Sequence, residues 1–346
     1  MNARLFALLL TLSPVAVNAA DYGWLGEAAS GFATPKPGAP ILFPQDHAAH
    51  PGFRTEWWYL TANLTGDDGK SYGAQWTLFR YSLEARDGSG WDNRTAWMGH
   101  AAVTSATEHV FAQTMARGGV NQAGVDNPPF RAFIDDWFFE ARDAQFTAGR
   151  LHARGARFGY TLDLTRSGPF VLQGDKGYSR KAGEGQASHY YSQPFFSVDG
   201  AVTIDGQKIH VTGRGWMDRE WSSQTMAPDQ KGWDWFSLHL TSGDRLMLFR
   251  LRGAQDYRSG NWIAPDGGVT QLAGEDIVFE PLDHTSLEGR ALPTRWRVKV
   301  KSRNLDIVTS ALNPKSWMGT DFPYWEGPIA VSGSTRGEGY LEMTGY

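Results

Sequence analysis

Hydrophobic and polar positions alternate along this chain with the two-residue period of strands, in short runs cut by turns rich in glycine and aspartate. Arg295 to Lys301 alternates without a fault: Trp296, Val298 and Val300 fall on one face, Arg295, Arg297, Lys299 and Lys301 on the other. Successive side chains of a strand point to opposite faces, so such a run half-buries itself in a sheet. Tyr160 to Thr165 does the same with Tyr160, Leu162 and Leu164. Asp68-Gly69, Asp205-Gly206 and Asp266-Gly267 read as hairpin turns, because Asp and Gly tolerate the positive φ that tight turns demand. Asp205-Gly206 separates the apolar runs 201–204 and 207–211, and the turn Ser242–Asp244 separates 235–240 from 246–249. No long segment keeps a helical period with caps at both ends. Arg131 to Glu140 fits a short helix or an aromatic strand equally well. The pattern predicts an all-β chain of sandwiches or barrels.

Length makes that two domains: 346 residues against roughly 150 per domain. The expected architecture is a pair of tandem β-barrels with little helix, parted at the polar, proline-containing stretch Met226–Lys231. This gives an N-terminal domain over 52–225, a C-terminal domain over 226–346, and an extended Pro-, Gly- and Ala-rich arm over 21–51. The 33 basic and 37 acidic residues balance closely, which leaves no polyanion footprint and excludes nucleic acid as the expected partner. The chain has no cysteine, so disulfides, thiolate metal sites and a cysteine nucleophile are excluded. Residues 1–20 read as a signal peptide: Arg4, an apolar stretch from Leu5 to Leu12, and small residues at Val17–Ala20 around a cleavage point near Ala19 or Ala20. A periplasmic or secreted protein is expected. The apolar stretch is well short of the ~20 residues that a span needs, and no later segment is expected to cross a bilayer.

Two constellations could carry chemistry. In Glu56-Trp57-Trp58-Tyr59 the adjacent tryptophans point to opposite faces, so that one can line a cavity while the other packs elsewhere; Gln75 and Trp76 follow on the next strand. A buried Glu56 needs a donor, which Arg54 or a tyrosine could supply. The alternative is a core aromatic pair with a structural ion pair. The second constellation joins Ser188–Pro194, which holds His189, Tyr190 and Tyr191, to Gly213–Trp221, which holds Trp216, Asp218 and Glu220. His189 and Tyr191 share one strand face, as do Trp216, Asp218 and Glu220, and the Asp205-Gly206 hairpin could bring the two faces together. An aspartate among aromatic walls has its pKa raised by desolvation and becomes an acid usable near neutral pH. Aromatic faces stabilise a developing cation. The alternative is an ion pair of Asp218 with Arg219 or Arg214. Asp46-His-Ala-Ala-His50 reads as ordering the entry loop, because Pro51 ends any helix that could make it a metal pair. His239 reads as a core histidine. No Gly-x-Ser-x-Gly elbow supports a serine hydrolase.

The segments DHAAHPGFRTEWWYLTANL (46–64), YGAQWTLFR (72–80), LQGDKGYSRK (172–181), SHYYSQP (188–194), GRGWMDREWSSQ (213–224), GWDWFSLHL (232–240) and the C-terminal stretch from 324 to 346 resemble the secreted AttH-like proteins, relatives of the bacterial carotenoid 1,2-hydratases. The resemblance runs from about residue 40 to Tyr346. It implies a lipocalin-like tandem fold with an apolar ligand held in or between the domains. It also implies Asp218 as the acid with His189 assisting. The hydratase pattern has Trp where this chain has Tyr191 and Tyr where it has Trp216, which implies a related site for a different substrate. The expected ligand is an apolar, unsaturated or terpenoid-like molecule, hydrated or isomerised without a cofactor or metal. Trp57, Trp58, Tyr59, Gln75, Tyr190 and Glu220 complete the expected lining, with Glu220 orienting water or pairing with Arg219. The alternative is a non-catalytic carrier working with an envelope ABC transporter.

Overall fold

Strands account for every regular element longer than three residues in this computed structural model, which describes residues 30–346 except Asp87, Glu184 and Thr225. The signal-peptide reading falls outside the described residues. The first sheet contains β1 (Thr55–Gly66), β2 (Ser71–Ser82), β3 (Thr95–Ser105), β4 (His109–Arg117), β5 (Ala123–Asp126), β6 (Arg131–Ile134), β7 (Trp137–Ala141), β8 (Ala148–Arg154), β9 (Phe158–Arg166), β10 (Val171–Leu172), β11 (Tyr178–Arg180), β12 (Ala187–Ile204) and β13 (Gln207–Ser222). Its order is β4-β3-β2-β1-β13-β12-β9-β8-β7-β6-β5, with β10 and β11 paired to β12. The second holds β14 (Gly232–Leu240), β15 (Arg245–Arg252), β16 (Tyr257–Ile263), β17 (Val269–Leu272), β18 (Ile277–Leu287), β19 (Arg290–Val300), β20 (Leu305–Ala311), β21 (Trp317–Met318), β22 (Tyr324–Gly333) and β23 (Gly337–Met343). Its order is β17-β16-β15-β14-β23-β22-β20-β19-β18, with β21 paired to β22. Both sheets curl into barrel-like shells, as the alternating pattern predicts.

The local signals act where expected. Asp205 (φ 48°) and Gly206 (φ 79°) make the two-residue turn of the long β12–β13 hairpin, with Ile204 opposite Gln207. Trp296, Val298 and Val300 are wholly buried on the inner face of β19. Arg131–Glu140 is neither a helix nor one strand: a turn at Asp135 (φ 51°) divides it into β6 and β7. Curling carries β4 to that turn, where Thr114 Oγ1 donates to Asp135 Oδ2 at 2.7 Å. The interior of the first shell is filled by Trp58, Trp76, Leu78, Phe139, Leu151 and Leu162, and that of the second by Phe236, Leu248, Trp296, Ile307 and Trp325.

β1, β2 and the C-terminal half of β13 are buried on both faces. An antiparallel sheet with one wet face alternates; a sheet buried on both carries near-continuous apolar runs. The second shell covers the outer face of the first. Asn63 Nδ2 donates to Gly339 O at 2.8 Å, the Tyr59 hydroxyl donates to Glu326 Oε1, and His100 Nδ1 lies 3.0 Å from the Tyr324 hydroxyl. His239 is buried as expected, with its Nε2 3.1 Å from Pro194 O across the junction.

Glu56 is fully buried and binds Arg219 Nη2, Arg80 Nη1 at 3.2 Å and the His50 backbone N–H at 3.0 Å. The donors are therefore Arg80, Arg219 and His50, not Arg54 or a tyrosine, because β2 and β13 flank β1 and place their guanidiniums on its inner face. Burial alone would raise the Glu56 pKa; Arg219, the His50 hydrogen bond and Arg80 outweigh it and hold the carboxyl at about 2. Arg219 also lies over the Trp58 ring at 3.9 Å and donates to Ala48 O at 2.6 Å, tying the entry loop to the barrel. His50 stacks on Trp221 with ring centroids 4.0 Å apart and bridges Asp46 and Glu56, which is the loop-ordering role read from the sequence.

Two outcomes follow from these contacts. Arg219→Met takes from the buried Glu56 one of its two guanidinium partners and should cost about 3 kcal/mol in urea unfolding, against under about 1 kcal/mol for Arg295→Met, whose pair with Asp283 is exposed. A Cβ on Gly73 would sit inside contact of Tyr340 Oη and 2.7 Å from Pro328 Cγ, so Gly73→Ala should lower the melting temperature and expose the segment around Met226–Lys231 to proteolysis.

Candidate active site between the two sheets

Antiparallel register decides which side chains face the covered side of the first sheet. Tyr59 stands opposite Asp218 on β13 and Thr77 on β2; Trp57 stands opposite Glu220 and Phe79. On β12, Ser192 is opposite Asp218 and Tyr190 opposite Glu220. Directly paired residues share a face, so these side chains make one wall. The second wall comes from β14, β15, β22 and β23, with Trp233, Trp235, Phe249, Leu251, Tyr324 and Glu342. Between the walls lies a mostly apolar cavity of about 440 Å³. Met115 and Ala96, both exposed, are part of its lining and mark its open side.

Asp218 faces this cavity and is 3% exposed. Trp216 Nε1–H donates to its Oδ1 at 2.8 Å and the Ser192 hydroxyl donates to the same oxygen. Neither Arg219 nor Arg214 pairs with it: Arg219 points into the barrel to Glu56, and Arg214 lies 3.8 Å from Glu338. Burial pushes the Asp218 carboxyl up to about 7; hydrogen bonds from Ser192, Trp216 and Tyr190 pull the other way, and the charge of Glu220 adds to the rise. Glu342 on the opposite wall accepts a hydrogen bond from Trp233 Nε1–H. Burial pushes it also to about 7, against the Trp233 bond and with the charges of Asp218 and Glu220. Glu326, behind Tyr59, is raised well above the usual range, first by burial and then by Glu342. Glu220 pairs with Lys181 Nζ at 2.7 Å, not with Arg219, which the alternation of β13 sends to the other face.

The structure divides the expected residues. Trp57, Tyr59, Tyr190, Asp218 and Glu220 line the cavity, and Trp216 backs Asp218. Trp58 is the inward partner of Trp57, its Nε1–H donating to His47 O at 3.0 Å within the first core. Gln75 is buried beside the cavity, its amide on Thr77 Oγ1 at 2.6 Å. His189 and Tyr191 do not join Asp218. They stand opposite Trp221 and Arg219, on the barrel side of the sheet. His189 packs between Phe53 and Trp221, and the Tyr191 hydroxyl lies 2.6 Å from His47 Nδ1. The hairpin pairs the two segments edge to edge, so it fixes their opposite faces apart instead of folding them together. Lys181, Ser192, Trp233, Trp235 and Glu342 were not singled out from the sequence. Trp233 and Trp235 carried a signal, an aromatic alternation in Gly232–Leu240; a lone glutamate in a terminal strand carries none. Among the described residues no group of three or more His, Asp and Glu could hold a metal ion, and no helix is long and apolar enough to cross a membrane.

A carboxyl raised by burial is stabilised as the acid when folded. Below pH ~4 both folded and unfolded Asp218 are protonated and the shift is silent; from there to about 7 only the unfolded chain releases the proton, and stability falls. Asp218→Asn keeps the oxygen that Ser192 and Trp216 address. It should leave stability nearly unchanged at pH 4 and raise it by up to about 4 kcal/mol at pH 8, read by urea unfolding at both pH values.

The sequence matches the AttH-like family over residues 34–346. Among solved structures, an AttH protein from Nitrosomonas europaea superposes with a TM-score of 0.81 at 31% identity, covering 91% of this chain and all of that one (100%). Kievitone hydratase from Nectria haematococca superposes with a TM-score of 0.68 at 14% identity, covering 91% of this chain and 98% of that one. A search of curated proteins finds no match. Over the whole of both described sheets, the chain belongs to the AttH-like family.

Proposed function

We propose that this protein is a cofactor-free hydratase-type enzyme that adds water to, or isomerises, an unsaturated apolar molecule held between its two sheets. One observation carries the reading: Asp218, buried, unpaired with any cation among the described residues and pushed up to about 7 by that burial, faces an aromatic-walled cavity. An acid with a pKa near the working pH is the group that general acid catalysis needs. The hydratase neighbour shares the architecture, which agrees with hydration; the residues supply the chemistry.

In the proposed reaction the Asp218 carboxylic acid gives its proton to one alkene carbon, and the π pair forms the new C–H bond. The cation left on the other carbon is held by the faces of Trp57 and Trp235 and by the Glu220 carboxylate. Water adds through oxygen, and its second proton returns to the Asp218 carboxylate, so that substrate and water give an alcohol and the acid is restored. Loss of a neighbouring carbon proton in place of water capture gives isomerisation with the same acid. Ser192, Trp216 and Tyr190 take the part that the resemblance gave to His189, since they touch Asp218 and set its protonation. The leader pattern over residues 1–20 supports a periplasmic or secreted setting for this activity.

Native mass spectrometry of protein from its own source, with extraction of co-purifying apolar molecules, would define the assay; prenylated phenols, terpenoid alkenes and unsaturated fatty acids form the starting panel, with gain of one water as the readout. Asp218→Asn should abolish turnover while ligand affinity changes less than about tenfold. Wild-type kcat/KM should fall as pH rises through about 7, where the acid form is lost. An Asn variant that still turns over, or a flat profile from pH 5 to 9, would overturn the assignment.

A further inference from the structure

One corner of the cavity already holds a positive charge. Lys181 follows β11, and its ammonium lies 2.7 Å from Glu220 Oε1, 5.0 Å from the Tyr190 ring centroid and 4.5 Å from that of Phe249. All four residues line the cavity. Glu220 and Tyr190 are cross-strand neighbours on β13 and β12, and Phe249 comes from β15 across the gap, so the corner is built by both sheets. Trp235 Nε1–H donates to the Tyr190 hydroxyl at 3.2 Å and fixes that ring against the second sheet. A carboxylate flanked by aromatic faces, out of water, is the arrangement that binds ammonium groups and other cations. Lys181 reaches it on a flexible four-carbon stem, so its charge can leave without moving the backbone. The backbone below is pinned: Lys181 N–H donates to Gln186 O and Gln230 Nε2–H to Lys181 O, both at 2.8 Å.

We propose that the Glu220–Tyr190–Phe249 corner is a cation seat, filled by the chain's own Lys181, and that it takes an apolar ligand bearing or developing a positive charge once Lys181 withdraws. The inference deepens the hydration reading, for which the seat would hold the charge that follows proton transfer. Its binding test needs no turnover, so a failure here leaves that reading standing and a failure of that reading leaves the seat standing. It also sorts ligands by chemistry, since the seat favours a cationic head over a neutral head of the same chain length.

The test compares decyltrimethylammonium, below its micelle concentration, with 1-decanol. Lys181→Met removes the resident charge and keeps an unbranched apolar side chain. It should tighten decyltrimethylammonium at least about tenfold and move 1-decanol less than about threefold; Lys181→Met with Glu220→Gln should cancel the gain. Equal changes for both probes, or a gain that survives Glu220→Gln, would overturn the seat. Should Lys181→Met fail to fold, wild-type protein answers the question: decyltrimethylammonium should speed trinitrobenzenesulfonate labelling of Lys181, read by peptide mass spectrometry, while 1-decanol should not. Labelling unchanged by the ammonium overturns the proposal.

Discussion

The buried contact between Glu56 and Arg219 sets the frame for everything around it. A strand can pair with its neighbour in two alternations, and a slip of one residue exchanges its faces. Arg219 is charged and wholly buried, and it finds its carboxylate only on the barrel side of β13. With Arg219 turned inward, Asp218 and Glu220 on either side of it must turn outward, into the cavity. Arg80 and the His50 backbone complete the cluster from β2 and the entry loop, so one carboxylate joins three strands and the arm. Such a cluster adds little net stability over an apolar core, because both charges are desolvated; its value here lies in excluding the wrong register.

The second constraint is that the first sheet is buried on both sides. Its inner face closes around large apolar side chains, among them Trp58, Trp76 and Phe139. Its outer face carries Trp57, Tyr59, Phe79 and Tyr190 and meets the outer face of the second sheet. The carboxyls of Asp218 and Glu342 among those aromatics are therefore dry, and dryness is what raises them. Asp218 and Glu342 come from different sheets, yet each sits at the end of an indole N–H and is driven up by the same loss of water. Keeping two such carboxyls costs the protein stability as the pH rises towards neutrality, because the unfolded chain ionises them first.

Much of this architecture could be read from the residues alone. Period-two runs, the Asp-Gly turns and the absence of capped helical periods made the chain all-β, and the motifs around Glu56 and Asp218 made it AttH-like. The motifs also marked Asp218, Glu220, Tyr190 and the Trp57-Trp58 pair, where aromatic and acidic residues break the usual polar-outside alternation. The donors to Glu56 were misread because Arg80 and Arg219 reach it across strands, and no spacing in the sequence records which neighbours a strand will have.

Secondary structure follows from local periodicity and turn chemistry, because these act between residues near one another in the chain. Which carboxyls, rings and cations meet depends on strand order, register and the docking of two shells, which are settled by contacts between distant segments. That is why Asp218 could be chosen before its partners were known, and why His189 and Tyr191, only a hairpin away, proved to lie across the sheet from it. Ser192, Lys181 and Glu342 joined the site only when the strands were paired and the second shell closed over the first.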